Sequence, residues 1–286
     1  FSPNAIDYSQ VTNDNRPIFD LNKHYINSLF ANVELGWRSM LYMTLTGRND
    51  WDSALHGTAH SSFFYPSVGM SAVISQMVKL PKFINYMKVR GSWASVGSAI
   101  KPNISSMWRY KYNPSSGTYG TVTYKFPDTF YPERTDSWEA GLTARFFDNA
   151  LTLDVTLYHS NTRKQTFLRS IPTAQGYDHE YIQTGNVRNR GIELSLGYNK
   201  AWGAFEWNTT FTYSANQNKI IQLLDDPKET LNMGGLNGID LILRKGGTMG
   251  DVYTTTDFKY DADGNIALDK TGNVMQRTLT NPVYRG

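Results

Sequence analysis

Flat aromatic rings beside asparagine or arginine can hold sugars, because a ring stacks on apolar C–H faces while polar neighbours bond the hydroxyls. One segment concentrates such rings: Trp108, Tyr110, Tyr112, Tyr119, Tyr124, Phe126, Phe130 and Tyr131. Trp108, Tyr110, Tyr112 and Tyr131 are therefore candidate ligand-binding residues. The competing expectation is a loop packed on itself, with KYNPSSGTYGTVTYKF forming a hairpin around Pro114–Gly117. A second candidate is GRNDWDSAL (47–55), where Trp51 and Asp52 could touch a ligand. The same Gly-Arg-Asn-Asp cluster is also turn chemistry, with Arg48 and Asp50 bracing the chain.

Other polar motifs carry less. VRNRGIE (187–193) sets Arg188, Asn189 and Arg190 ahead of an alternating run, which suits the start of a strand better than an anion site. YDADGNIALDKTGNVM (260–275) offers Asp261, Asp263, Asn265 and Asp269, but its glycine stands at the fourth position where a calcium loop needs the sixth, and Gly272 replaces the bidentate Glu. Asp-Gly-Asn and Thr-Gly-Asn between Ile266, Leu268 and Val274 predict two tight turns instead. His56 and His60 are four apart in HGTAH, a loop-like context for a metal pair. Nothing joins Ser71 or Ser195 to a histidine, so no catalytic constellation, metal site or cofactor site is expected.

These residues must be held by something, and the chain declares its elements by alternation. In LTLDVTLYHS, Leu151, Leu153, Val155 and Leu157 point one way and Thr152, Asp154, Thr156 and Tyr158 the other. The pattern recurs at Leu29–Leu35, Leu41–Leu45, Val68–Ile74, Met87–Trp93, Trp138–Phe146, Ile192–Tyr198 (with Leu194 and Leu196) and Phe205–Tyr213, giving eight predicted strands. None of the positions on the apolar face of these runs is charged, whereas the opposite faces carry Glu34, Arg48, Lys88, Arg90, Glu139, Arg145, Asp154, Glu193 and Glu206.

Composition narrows what such strands can build. The chain has 286 residues, no cysteine, and 28 basic against 25 acidic residues scattered among one another. No basic run favours nucleic acid, no disulfide framework exists, and no apolar run approaches the roughly 18 residues of a membrane helix. A membrane barrel remains open, since its strands are polar on average. The connections point that way. Arg38-Ser39, the link around Lys79-Leu80-Pro81, Phe147–Ala150 and Lys200–Gly203 are short, and they alternate with long ones, including about 40 residues between the fourth and fifth strands and about 30 between the sixth and seventh. In an up-and-down antiparallel sheet, short turns then share one end and long loops the other. Trp37, Trp93, Trp138, Phe146, Tyr198, Trp207 and Tyr213 sit toward the ends of the apolar stretches, as interfacial girdles would. On this reading Leu151, Leu153, Val155, Leu157, Leu194 and Leu196 face lipid.

TGRNDWDSAL (46–55), FFYPSVGMSAVIS (63–75), YPERTDSWEAGL (131–142) and TGNVRNRGIELSL (184–196) resemble, in order and spacing, the second half of the barrel in SusC/RagA-type TonB-dependent outer-membrane transporters. The resemblance covers roughly residues 20–225. It implies an all-β fold: an antiparallel up-and-down transmembrane β-barrel segment, about eight strands of a barrel of about 22. It also implies the bacterial outer membrane, import of oligosaccharides or peptides energised through TonB, and a SusD-like surface lipoprotein over the opening. The corresponding layout is an extracellular segment at 1–23, strands with long loops over 24–216 and an extracellular loop or hairpin excursion at 217–286, with the plug, through which TonB is met, and the closing strand absent. The rival expectation is a secreted or surface soluble β-protein that binds glycans through its aromatic loops.

Overall fold

The computed structural model describes residues 24–55, 60–98, 108–113, 117–127, 130–171, 176–177, 179–224, 230–236 and 238–285. The strands are β1 (Ile26–Trp37), β2 (Leu41–Asp52), β3 (Ser62–Val73), β4 (Ile84–Ser98), β5 (Trp108–Asn113), β6 (Thr118–Lys125), β7 (Glu133–Phe146), β8 (Leu151–Ser170), β9 (His179–Trp202), β10 (Phe205–Gln222), β11 (Leu231–Leu236), β12 (Ile239–Leu243), β13 (Val252–Phe258) and β14 (Gln276–Tyr284). The eight predicted strands are β1–β4 and β7–β10, which pair in chain order as an antiparallel meander. The predicted third strand ends at Val73, and Ile74–Met77 form a short helix, α1.

Residues directly opposite in antiparallel strands share a face, so the register decides whether the eight apolar sets form one surface. They do. Ala72 pairs Val89, Val89 pairs Leu142, Leu142 pairs Val155, Val155 pairs Leu194, and Leu194 pairs Tyr213. The row continues through Leu41 to Trp37. The first apolar residue of β2 thus shares a row with Val155, in the middle of the apolar run of β8. The apolar band climbs across the sheet from β10 to β1, as it must if tilted strands cross one flat slab. Much of this face is open: Leu29, Leu35, Met70, Trp138, Leu157 and Phe211 are all exposed.

Along each strand the same face turns polar above the band. On β8 Leu157 is followed by His159, Asn161 and Arg163, and on β7 Ala140 is followed by Trp138, Asp136 and Arg134. Asp136 takes an ion pair from Arg163 at 2.9 Å, and Arg134 Nε donates to Ser95 Oγ at 2.7 Å. At the other end the turns are tight. Arg38 and Ser39 have φ of 50° and 54°, and Met40 N–H donates to the Trp37 carbonyl at 2.9 Å, which closes a two-residue hairpin with left-handed central residues.

The opposite face is polar and cross-braced. Arg90 of β4 reaches over β7 to β8, donating to Thr143 Oγ1 at 2.9 Å, to both carboxylate oxygens of Asp154 at 2.9 and 3.2 Å, and to Thr156 Oγ1 at 2.6 Å. The residue it crosses is Gly141, whose register partners are Arg90 and Thr156. A Cβ there would stand 2.5 Å from Arg90 Cζ and Nε. Glycine is therefore what makes room for the clamp. At Gly191 an added Cβ would strike first the Ala215 carbonyl oxygen of the neighbouring strand and then the Tyr158 hydroxyl, 2.5 Å away.

The structure corrects the expected spacing at the loop end. About 30 residues of loop were expected between the sixth and seventh strands, yet β8 runs to Ser170 and β9 begins at His179. The two strands overrun the apolar band as a hairpin whose apolar residues, Phe167, Leu168, Tyr181, Ile182 and Val187, do not alternate strictly; Phe167, Ile182 and Val187 pack with a second sheet and Tyr181 with neighbouring loops. Likewise β10 continues to Gln222, past the expected boundary at 216. The tail, where strand signal is low before Asp251, holds β11 and β12 within a second antiparallel sheet, β11–β14. That sheet packs on the upper hairpin through Phe167, Val187, Ile220, Leu223, Leu231 and Leu243. The predicted hairpin near Pro114–Gly117 is present as β5–β6, with Gly117 at φ 65°.

Candidate functional site

The long-loop end is where β6 joins the main sheet. Two parallel pairs, Tyr124 with His179 and Lys125 with Glu180, lay it along the upper edge of β9. Cross-strand pairing on the other side puts Arg169 opposite Glu180. The Glu180 carboxylate consequently lies between two cations, 2.8 Å from Lys125 Nζ and 2.7 Å from Arg169 Nη2, with Arg169 Nε at 2.9 Å. Burial alone would raise its pKa, but the hydrogen bonds and charges of Lys125 and Arg169 prevail and hold it below the usual glutamate range.

Around this triad is a hollow of about 530 Å³ walled by Phe126, Pro127, Tyr181, Gln183 and Leu224. Phe126 and Tyr181 stack at 5.4 Å, and Tyr124 stands 5.6 Å from Tyr181. Aromatic walls beside two cations and one carboxylate can stack an apolar ring or chain and bond hydroxyl, carbonyl or carboxylate oxygens. One positive charge is left over.

Of the residues singled out in sequence, Trp51 is 44% exposed at the top of β2. Its neighbour Asp52 is buried: Oδ1 lies 2.8 Å from His24 Nε2 and accepts the Ala54 N–H at 2.7 Å. That carboxylate anchors the 3-10 turn Ser53–Leu55 and thereby the loop carrying Trp51. Tyr131 is half-buried; its ring stacks on His60 at 4.3 Å and receives Lys164 Nζ at 3.5 Å from the ring centre. Gln183 pins its backbone, accepting the Tyr131 N–H and donating to the Tyr131 carbonyl, each at 2.6 Å. Trp108, Tyr110 and Tyr112 take alternate positions of β5, opposite Thr123, Thr121 and Tyr119, and their side chains lie outside the described residues. Two other aromatics of the segment pack inward: Phe130 is buried with Ala54 and Leu55, and Phe126 lies against them together with Phe63 and Tyr181 from elsewhere in the chain. The structure thus brings Tyr131 near the hollow through Gln183 and sets Trp51 on the apolar-band face of β2, in register with Asn27 and Ser62.

Sequence reading missed Lys125, Arg169, Glu180 and Gln183: Lys125 meets Glu180 only through a parallel bridge between distant segments, and Arg169 and Gln183 lie on the part of the β8–β9 hairpin that was expected as loop. VRNRGIE lies inside β9 and not at its start; Arg188 and Arg190 fall on the apolar-band face above Ile192, and Asn189 accepts from Asn218 at 2.7 Å on the other. The two predicted turns in the tail are present. Asp261 accepts the N–H of Asp263 and Asn265 at 3.0 and 2.8 Å, and Asp269 those of Thr271 and Asn273 at 2.8 and 2.9 Å. With the Thr271 hydroxyl as the largest cause, Asp269 is pulled down to about 2. His56 lies outside the described residues.

Comparison with known proteins places this geometry. The family model described as "TonB dependent receptor-like, beta-barrel" matches residues 2–280. TonB-dependent receptor P39 of Formosa agariphila is 25% identical over 93% of the chain, and TonB-dependent receptor SusC of Bacteroides thetaiotaomicron is 22% identical over 86%. The chain spans 27% of the length of each. Among solved structures, the RagAB peptide importer in its open-open state superposes with a TM-score of 0.69 at 16% identity, covering 90% of this chain and 28% of that one. The expected SusC/RagA-type resemblance and all-β barrel segment are borne out, and the chain belongs to the TonB-dependent receptor β-barrel family.

Proposed function

We propose that this chain is the lipid-spanning and cargo-facing part of an outer-membrane importer of nutrients, oligosaccharides or peptides, energised through TonB. The observation that carries the reading is the single apolar face: eight strands in one register present exposed leucine, valine, methionine and aromatic side chains on one side and a hydrogen-bonded Arg90–Asp154 brace on the other. A soluble sandwich would bury the first face; a barrel wall sets it against hydrocarbon and turns the second to the lumen. Leu151, Leu153, Val155, Leu157, Leu194 and Leu196 then contact lipid. The described strands β1–β4 and β7–β10 form barrel wall, and the second sheet, β11–β14, lies outside the cell; the segment expected to be extracellular at 1–23 lies outside the described residues.

Cargo meets the long-loop end. The hollow at Lys125, Arg169 and Glu180 suits the oxygens of a sugar or the termini and carbonyls of a peptide, and the solved relative described as a peptide importer supports the latter. Trp51 and Tyr131, with Trp108, Tyr110 and Tyr112 of β5, are the further cargo contacts, and Asp52 is their support. A SusD-like surface lipoprotein closes over this end. The test is to express the full-length protein with its own signal, fractionate the envelope and run it on a gel with and without heating. A heat-modifiable outer-membrane band is expected; a soluble product would make the same leucines a sandwich core and overturn the proposal.

A further inference from the structure

The outer-face boundary just above the apolar band is not electrically uniform. Toward β4 and β7 its charges are satisfied, since Asp136 is paired by Arg163 and lies 3.7 Å from Arg134, which also bonds Ser95. Toward β9 and β10 they are not. Arg190 pairs in register with His159 and Gln217, and the row above places Arg188 opposite Lys219. Among the described residues no carboxylate forms an ion pair with Arg188, Arg190 or Lys219, and the one bond holding a guanidinium there runs from Arg190 Nε to Gln217 Oε1 at 2.8 Å.

Directly below these cations the surface is concave. A hollow of about 530 Å³ lies between Trp138 and Leu157 on one side and Ile192 and Gln217 on the other, floored by the small side chain of Ala215. Trp138 stands 5.6 Å from His159, so the upper rim is aromatic while the floor is apolar. Unpaired cations over an apolar trough match a molecule with an anionic head and hydrocarbon tails.

The geometry points to a site for a phosphorylated glycolipid of the outer leaflet, its phosphate on Arg188 and Arg190 and an acyl chain along Leu157, Ile192 and Ala215. This rests on the importer reading, which sets the long-loop end, and so this rim, at the outer surface. Arg190 stays fixed by Gln217 with its terminal nitrogens free to donate, and the side chain's stem covers the trough. Losing two charge-assisted contacts of this kind weakens binding by roughly tenfold or more.

The experiment uses the full-length protein in detergent, titrated with bisphosphorylated lipid A and with the same lipid stripped of its phosphates, read by native mass spectrometry. Arg188→Gln/Arg190→Gln should lose affinity for the phosphorylated lipid roughly tenfold and leave the stripped lipid unchanged. Lys200→Gln, on the same face of β9 beyond the other end of the band, should behave as the parent. Heat-modifiability of each variant reports assembly. An assembled barrel that binds both lipids alike, or a double variant that binds as well as the parent, overturns the lipid site alone; a protein that never reaches the outer membrane overturns the importer reading and this site together.

Discussion

Replacing Gly141 by alanine should unfasten the wall through one added carbon. The new Cβ would lie 2.5 Å from Arg90 Cζ and Nε and 2.9 Å from Cγ, so the clash falls on the middle of the side chain and cannot be relieved by turning its tip. The guanidinium must lift, and with it go the bidentate contact to Asp154 and the bonds to Thr143 and Thr156. A charge-assisted pair of this kind contributes about 1.5–3 kcal/mol net. Arg90 and Asp154 are 36% and 39% exposed in side chain, so water screening trims the loss to about 1–2 kcal/mol. Urea titration of the refolded full-length barrel in lipid vesicles, followed by tryptophan fluorescence, would read it as a lowered midpoint with unchanged slope. The Arg90→Ala background supplies the control. Without the long side chain there is nothing to strike, and Gly141→Ala should then be neutral or slightly stabilising, as alanine for glycine usually is in an unstrained strand. Equal cost in both backgrounds, or no cost in the parent, would show that Gly141 is not making room for a clamp.

Leu153→Arg puts a charge on the apolar face beside Ala144 and Leu196 and should cost about 2–4 kcal/mol or block assembly into the outer membrane, whereas Thr152→Arg on the other face should be tolerated; outer-membrane yield of the heat-modifiable form distinguishes them. Asp52→Ala removes the buried acceptor of His24 and of the Ala54 N–H and should destabilise by about 1–3 kcal/mol, seen as a lowered urea midpoint and faster proteolysis near Trp51. Asp269 has a folded pKa depressed from 3.8 to about 2, so its contribution to the turn is present above its unfolded pKa and lost as pH falls through the folded one. Amide exchange in residues 266–275 should be protected at pH 5 and open as pH drops from about 4 toward 2; Asp269→Ala should be open throughout.

How much of this was legible in the sequence depended on whether a strand had a wet side and a dry one. Leu151–Leu157 or Ile192–Tyr198 declares its register because every second residue is apolar, and all eight such runs fell on one face. Above the band, Lys164–Ser170 and His179–Arg188 are strand as well, but their apolar residues, Phe167, Leu168, Tyr181, Ile182 and Val187, do not alternate strictly, so the hairpin reads as loop. β11 and β12 hide for a different reason: LNMGGL carries two glycines and IDLIL is only five residues long, and both become strands as Leu231 and Leu243 pack with Ile220. The candidate site was legible only in part. Aromatic density marked the segment, yet which rings stay open depends on tertiary packing, as buried Phe130 and exposed Trp51 illustrate. Lys125 beside Glu180 has no local signature at all, since only the parallel bridge to β9 brings them together. Nothing in the sequence marks Gly141 as the gap through which the Arg90 side chain crosses, since the crossing spans three strands.

The central claim is that one face of this sheet meets lipid. Single cysteines introduced from Leu151 to Tyr158 in the full-length protein, spin-labelled and reconstituted in vesicles, can be scanned for collision with lipid-soluble oxygen and with a water-soluble nickel chelate. The account predicts a period of two, with oxygen favoured at 151, 153, 155 and 157 and the chelate at 152, 154, 156 and 158. Labels at the leucine positions shielded from both reagents would mean a protein core on that side, and would contradict it.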